Sequence, residues 1–185
     1  MKILLHICCG PCSIYPISQL QKSNCDITGY LYNPNIHPYK EFKRRLLTAE
    51  QYLNDLKINA IIDRNYGLIK FLREVVSNEK VRCEYCYKDR LEQTAITAKN
   101  NRFDSFSTTL LYSKYQNHLK IKEFGEKLAS EYSLHFHYDD FRLGWQQGID
   151  RSKELEMYRQ PYCGCIYSEQ ERYDKKFRKR QKIKV

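Results

Sequence analysis

Neither glycine-rich signature that cradles a nucleotide's phosphates, G-x-G-x-x-G or G-x-x-x-x-G-K-[ST], occurs in the 185 residues, so no ATP or dinucleotide is expected as a required cofactor. A degenerate nucleotide site reused to hold a nucleoside is compatible with that absence. No apolar run approaches the roughly 20 residues needed to cross a bilayer. Met1–Ile7 lacks the charged region, long apolar segment and small-residue cleavage site of a secretory signal. These absences predict a soluble, cytoplasmic protein without a membrane partner, its thiols reduced by default. Glycine (7) and proline (5) are few, and no repeat or low-complexity tract interrupts a chain that is 42% hydrophobic. Residues 1–185 are therefore expected to form a single domain with a real core. Acidic residues are outnumbered, 22 to 32, leaving a net charge of +10. With 16 tyrosines, that balance suits a polyanion whose bases can stack, or simply a basic, tyrosine-rich surface.

What the chain has in excess is clustered sulfur. Seven of its eight cysteines fall in Cys8-Cys9-Gly10-Pro11-Cys12, Cys83-Glu84-Tyr85-Cys86 and Cys163-Gly164-Cys165. A two-residue spacer lets two thiolates converge on one metal or cluster, and thiolate-rich sites favour zinc or iron–sulfur over hard cations. Cys25 has no thiol neighbour in sequence and reads as a small buried apolar side chain. Cys83, Cys86, Cys163 and Cys165 could close a structural zinc site. Seven clustered cysteines exceed one tetrahedral zinc, however, and the adjacent Cys8-Cys9 pair is poorly shaped to chelate one small ion, so an iron–sulfur cluster is favoured. Cys163-Gly164-Cys165 has a further reading, a strained and readily reduced disulfide that stores two electrons.

Short β-rich segments alternate with amphipathic stretches of helical length, the pattern of an α/β fold with a mostly parallel, helix-flanked sheet. Strands are predicted at Lys2–Ile7, Ile27–Asn33, Ala60–Asp63, Ser105–Leu110 and Leu134–Tyr138. Helices are predicted at Ser13–Lys22, Tyr39–Leu56, Gly67–Ser77, Glu84–Lys99, His118–Tyr132, Arg151–Tyr158 and Tyr167–Gln181. Pro16 then falls in a first helical turn, where proline is tolerated. Lys175, Lys176, Arg178, Lys179, Arg180, Lys182 and Lys184 make the C-terminal helix or tail, about residues 167–185, strongly basic, and Lys40, Lys43, Arg44 and Arg45 form a second basic group. Both could grip phosphates or be solvated helix surface.

In a Rossmann-like parallel sheet, ligands bind beyond the carboxyl ends of the strands. Four loops are expected to converge there. They carry Cys8, Cys9 and Cys12; Asn33, Asn35 and His37; Thr108, Thr109, Tyr112, Ser113, Tyr115 and Gln116; and Asp139, Asp140 and Arg142. Any one of these could be an ordinary polar loop residue, but thiols at the place of a phosphate-binding loop are hard to explain as filler.

The chain resembles the epoxyqueuosine reductases of the QueH type. The likeness runs through Leu4-Leu5-His6-Ile7-Cys8-Cys9-Gly10-Pro11-Cys12, Tyr32-Asn33-Pro34-Asn35-Ile36-His37-Pro38, Arg82-Cys83-Glu84-Tyr85-Cys86-Tyr87, Thr108-Thr109-Leu110-Leu111-Tyr112-Ser113 and Tyr158-Arg159-Gln160-Pro161-Tyr162-Cys163-Gly164-Cys165-Ile166-Tyr167-Ser168. It implies a PP-loop-related α/β fold and the reduction of epoxyqueuosine to queuosine at the wobble position of tRNA. It also implies independence from cobalamin, a [4Fe-4S] cluster, an additional mononuclear iron and an external electron donor. Two divisions of the cysteines follow. In one, Cys83, Cys86, Cys163 and Cys165 hold the cluster while Cys8, Cys9 and Cys12 hold the lone iron. In the other, Cys8, Cys9, Cys83 and Cys86 hold the cluster and Cys163 and Cys165 form a redox pair. Some members of the family carry aspartate at the position of Cys12, so thiolate here would soften that iron site.

Turning an epoxide into an alkene with loss of water takes two electrons and two protons, so a one-electron cluster needs a partner, either the iron acting also as a Lewis acid or a dithiol. Proton donors are expected among Tyr112, Asp140, Asp139, His37 and His118, with Asp140 and Tyr112 first and metal-bound water as an alternative. The substrate-binding set expected is Asn33, Asn35, His37, Thr108, Thr109, Tyr112, Ser113, Tyr115, Gln116 and Arg142. The modified base should be flipped from a single-stranded anticodon loop onto aromatic residues, with Tyr32, Tyr39, Tyr115 and Tyr158 as candidates. Two rivals are weighed against this: an iron–sulfur-dependent tRNA sulfur-transfer enzyme, which should need ATP and a pyrophosphate loop, and a zinc-stabilised RNA-binding module.

Overall fold

A computed structural model describes residues 1–177. Five parallel strands, β1 (Lys2–His6), β2 (Asp26–Leu31), β3 (Ala60–Ile62), β4 (Ser105–Thr108) and β5 (His135–Phe136), form one sheet in the order β3-β2-β1-β4-β5. The period-2 alternation of β1 explains why both faces are apolar. Ile3, Leu5 and Ile7 pack on one side with Ile17 and Leu20 of α1 (Gly10–Lys22) and Phe42, Leu46, Ala49 and Leu53 of α2 (Tyr39–Asp55). Leu4 and Phe106 pack on the other with Leu91, Ala95 and Ala98 of α4 (Arg82–Asn100) and Ile121 and Leu128 of α5 (His118–Tyr132). Burying a Leu or Ile fully stabilises the fold by about 1.5–3 kcal/mol, and β1 contributes three such residues with no exposed surface, Ile3, Leu4 and Leu5.

The strand order makes β1 and β4 the point where the chain reverses its direction of growth across the sheet. Such a point opens a crevice at the carboxyl ends of the two strands. Cys8, Cys9 and Cys12 lie immediately after β1, and a 3₁₀ turn at Thr109–Tyr112 lies immediately after β4. Three further helices, α3 (Leu68–Val75), α6 (Trp145–Glu154) and α7 (Ile166–Tyr173), complete the surroundings of that crevice. Among the described residues no helix is long and apolar enough to cross a membrane.

All five strands and seven helices form where the sequence predicts elements, with shifted ends that have local causes. The first helix begins at Gly10 rather than Ser13, because the Cys9 side chain caps it by accepting from the Cys12 N–H at 3.4 Å. Pro16 therefore sits in the helix interior, not its first turn, and the bond to the Cys12 carbonyl is lost. β4 stops at Thr108, not Leu110, because the Thr108 hydroxyl accepts from the Leu110 N–H at 3.1 Å and turns the chain into the 3₁₀ segment. The helix expected at Arg151–Tyr158 instead spans Trp145–Glu154; Glu156 adopts a positive φ of 49° just beyond it. The helix expected at Tyr167–Gln181 spans Ile166–Tyr173 and breaks where the Asp174 backbone is extended; residues 175–177 are again helical, and Arg178, Lys179, Arg180, Lys182 and Lys184 of the basic tail lie outside the described residues.

Candidate metal centre

Six of the seven clustered cysteines, Cys8, Cys12, Cys83, Cys86, Cys163 and Cys165, line one cleft of about 640 Å³. Cys9 lies just behind, with its sulfur 3.9 Å from that of Cys8. The thiols of Cys8, Cys9 and Cys12 all lie within 4.8 Å of one another, close enough to share a single ion. Cys86 and Cys165 pack together with Phe71 and Val75. Cys83 and Cys163 are the exposed members. Cys25 lies away from the cleft, half-buried against the core on the α1 and α2 side of the sheet, and its thiol meets the Ser23 carbonyl.

Three helix N-termini present these sulfurs. Cys9 caps α1, Cys83 sits in the first turn of α4, and Cys165 caps α7 by accepting from the Ser168 N–H at 3.4 Å. The positive ends of three helix dipoles thus meet the thiols, an arrangement that favours negative charge. Within the triad, hydrogen bonds from Cys12, then Cys9 and Thr109, hold the Cys8 thiol well below its ordinary pKa. The same contact with Cys8 holds Cys12 up, and burial pushes Cys9 up. Burial also raises Cys83, Cys86 and Cys163.

Arg90, one helical turn after Cys86, has only 2% of its surface exposed and no carboxylate within ion-pairing distance among the described residues. Its guanidinium donates to the Cys86 carbonyl and, at 3.0 Å, to the Cys86 sulfur. A buried cation without a counter-charge is costly, and the thiols of Cys86, Cys163 and Cys8 are the groups able to supply one. Two amides reinforce this. Tyr87 donates to the Gln116 oxygen at 2.9 Å, which turns the amide nitrogen toward Cys163 at 3.2 Å. The Gln160 nitrogen lies 2.7 Å from the Cys9 sulfur and 3.4 Å from that of Cys12. The buried oxygens of Gln160 and Asn35, both cleft residues, have no partner among the described residues. A soft, anionic metal centre fits this donor set: clustered thiols, a buried unpaired cation, helix N-termini and N–H donors aimed at sulfur.

The loop bearing Cys163 and Cys165 is clamped from α2. Buried Arg45 donates to the Cys163 carbonyl at 2.7 Å, to the Tyr162 carbonyl at 3.0 Å and to Glu41 at 2.6 Å. Tyr158 donates to the other Glu41 oxygen at 2.6 Å, and the His37 N–H donates to the Gly164 carbonyl at 2.8 Å. Cys163 and Cys165 carry separate partners, Gln116 and Ser168 respectively, and both are free thiols.

Of the expected substrate residues, Asn35, Tyr112, Ser113, Tyr115 and Gln116 line the cleft. Others are engaged behind it. Asn33 donates to the Ile7 carbonyl, Thr108 bonds His6, and Thr109 accepts from the Cys8 N–H and donates to its sulfur at 3.3 Å. His37 is enclosed by Tyr66 and Phe71, and burial lowers its pKa to about 4, so it is neutral near pH 7. Asp140 and Arg142 pair with each other at 2.6 Å, which holds the Asp140 carboxyl below its usual range, and neither lines the cleft. Tyr112 does line it, and burial pushes its hydroxyl pKa upward. Of the four tyrosines considered for stacking, only Tyr115 is a cleft residue. Arg90 and Trp145 were not singled out from sequence, Arg45 was read only as one of a basic group, and Gln160 only as part of the motif around Cys163. Arg90 left a readable trace, its position four residues after Cys86 on one helical face.

The family model described as Epoxyqueuosine reductase QueH matches residues 3–171. An epoxyqueuosine reductase QueH of Dehalococcoides mccartyi is 36% identical over 174 residues, spanning 94% of this chain and 96% of that protein. The one from Thermotoga maritima is 34% identical over 183 residues, spanning 94% and 93%. Among solved structures, the U34-tRNA thiolase NcsA from Methanococcus maripaludis with its [4Fe-4S] cluster has a TM-score of 0.47 and 14% identity, covering 84% of this chain and 66% of that one.

Proposed function

The chain belongs to the epoxyqueuosine reductase QueH family, and from that premise we propose that residues 1–185 act as one cytoplasmic unit that reduces epoxyqueuosine to queuosine in tRNA. The reaction proceeds without cobalamin, with electrons from an external reductant. The observation that carries this reading is the convergence of thiols from three separate segments on one cleft with basic and aromatic lining. The alternative zinc module leaves the surplus of thiols and the unpaired Arg90 without a purpose, and the sulfur-transfer alternative lacks its pyrophosphate loop.

Cys83, Cys86, Cys163 and Cys165, set at the mouths of α4 and α7, would hold a [4Fe-4S] cluster, and the tight Cys8, Cys9 and Cys12 triad a single iron. Bound there, these groups supply one-electron equivalents and a Lewis acid for an epoxide oxygen. The rest falls to the protein. Arg90 offsets negative charge at Cys86, while Gln116 and Gln160 donate N–H groups to Cys163 and to the triad. Tyr112, kept protonated by burial and lining the cleft, would deliver a proton once its hydroxyl turns from the Trp145 carbonyl; Asp140 serves Arg142 instead. Epoxide opening to an alkene consumes two protons and releases water, so a second proton comes from solvent reaching the open cleft.

The test is conversion. The anaerobically reconstituted, reduced protein is given tRNA carrying epoxyqueuosine, and nucleosides are analysed by mass spectrometry. Queuosine should form, and Tyr112→Phe should slow turnover roughly 100-fold with little change in KM. Unaltered epoxyqueuosine after incubation with the metal-loaded wild type defeats the reading.

A further inference from the structure

The same cleft has an aromatic stretch made by Tyr112, Tyr115 and Trp145. We infer that Trp145, with Tyr115 at its edge, is a shelf on which an unpaired nucleobase adjacent to the reacting nucleoside stacks. This rests on the tRNA substrate proposed above and names a contact that substrate makes.

The shelf is built to be rigid. The Tyr112 ring stacks on Trp145 with centroids 5.1 Å apart and planes 29° from parallel, and the Tyr112 hydroxyl donates to the Trp145 carbonyl at 2.8 Å. Glycines on either side allow this closeness. A Cβ at Gly148 would come within 2.3 Å of the Tyr112 hydroxyl, and one at Gly144 within 2.0 Å of the Tyr15 ring. Tyr115 meets the indole edge-on at 5.7 Å. A core residue would be covered, yet Tyr115 is 84% exposed, and Leu143 beside Trp145 equally so. An exposed Tyr115 at the edge of a half-buried Trp145 that is held in place from behind has the form of a binding surface.

Charge selects the occupant. Lys114 lies with its ammonium 5.8 Å from the indole centroid, and with Arg90 buried against Cys86 and Arg82 paired with Glu171, the single carboxylate of the lining, the cleft still offers Arg159 and Arg172. An apolar protein segment would gain nothing from those cations. A ribonucleotide offers both a π-face for the indole and a phosphate for these cations.

Trp145 is the only tryptophan in the chain, so emission excited at the red edge of the indole band, where the 16 tyrosines do not absorb, reports this position alone. An anticodon stem-loop RNA bearing epoxyqueuosine, titrated into the metal-loaded protein, should quench that emission saturably. Trp145→Leu should raise KM for tRNA roughly 10- to 100-fold, and Trp145→Phe, which keeps a ring against Tyr112, should recover most of the loss. Tyr115→Leu, an exposed change that leaves the core intact, should raise KM several-fold. Emission indifferent to saturating RNA, or a wild-type KM in both leucine variants, overturns the shelf. Emission that responds only to a reducing protein assigns the surface to an electron donor and overturns it equally. Quenching is read whether or not conversion occurs, so the shelf and the activity fail separately.

Discussion

A guanidinium buried among thiols with no carboxylate beside it is poorly placed in a metal-free protein and well placed beside an anionic centre, and Arg90 is such a group. The two states should therefore respond oppositely to its removal. Arg90→Met is expected to leave the metal-free protein as stable as wild type or more so, by up to about 1–4 kcal/mol, since an uncompensated charge is replaced by an apolar chain. In the metal-loaded form the loss of a positive N–H donor to the Cys86 sulfur should make the reduction potential more negative. Thermal melts with and without iron, together with spectroelectrochemical titration, check both halves. A variant destabilised in the metal-free state with an unchanged potential would show Arg90 to be an ordinary structural residue. At this scale the sequence is partly readable. The cysteines declare themselves by spacing, whereas Gln160 becomes a donor to Cys9 only because chain folding spans the 151 positions between them. Asp140 and Arg142, two residues apart, satisfy each other locally, the pairing that their closeness in sequence allowed.

Among elements, α2 does more than cover the sheet. Arg45 reaches from its buried face to two successive carbonyls of the loop that carries Cys163 and Cys165, and Glu41 fixes the guanidinium from one turn earlier. The planar fork matches paired acceptors in a way that an ammonium does not. Arg45→Lys should fold but bind less than the full complement of iron, and Arg45→Met, which leaves Glu41 and both carbonyls short of a donor, should lose about 3–5 kcal/mol. Iron analysis and denaturant titration measure these; full iron binding by both variants would contradict the clamp. The strands and most helices were legible because period-2 and helical apolar patterns are local. Their ends were less so, because Thr108 and Cys9 set them through side-chain bonds to backbone. The start of α6 lies ahead of the expected Arg151 because a helix there must start from Gly144 and hold Gly148, poor helix formers, and Gly148 is needed where the helix passes the Tyr112 hydroxyl.

At the level of the whole molecule, the β3-β2-β1-β4-β5 order brings the loops after β1 and β4 together, and α4 and α7 add the remaining sulfurs to the crevice between them. Alternation of strand and helix was enough to anticipate that edge, and three cysteine clusters were enough to anticipate a thiol centre at it. Tyr112 and Tyr115 were anticipated there, but Trp145, Arg90 and Arg159 were not, because they come from separate segments with no common spacing. The central claim is that the three cysteine segments form one metal-dependent centre, and Cys83 and Cys163, exposed without metal, report on it most directly. Site-resolved thiol alkylation by mass spectrometry, before and after anaerobic loading with iron and sulfide, should show both becoming protected together while Cys25 reacts equally in the two states. Cys83 and Cys163 that stay as reactive as Cys25 after loading would contradict the account.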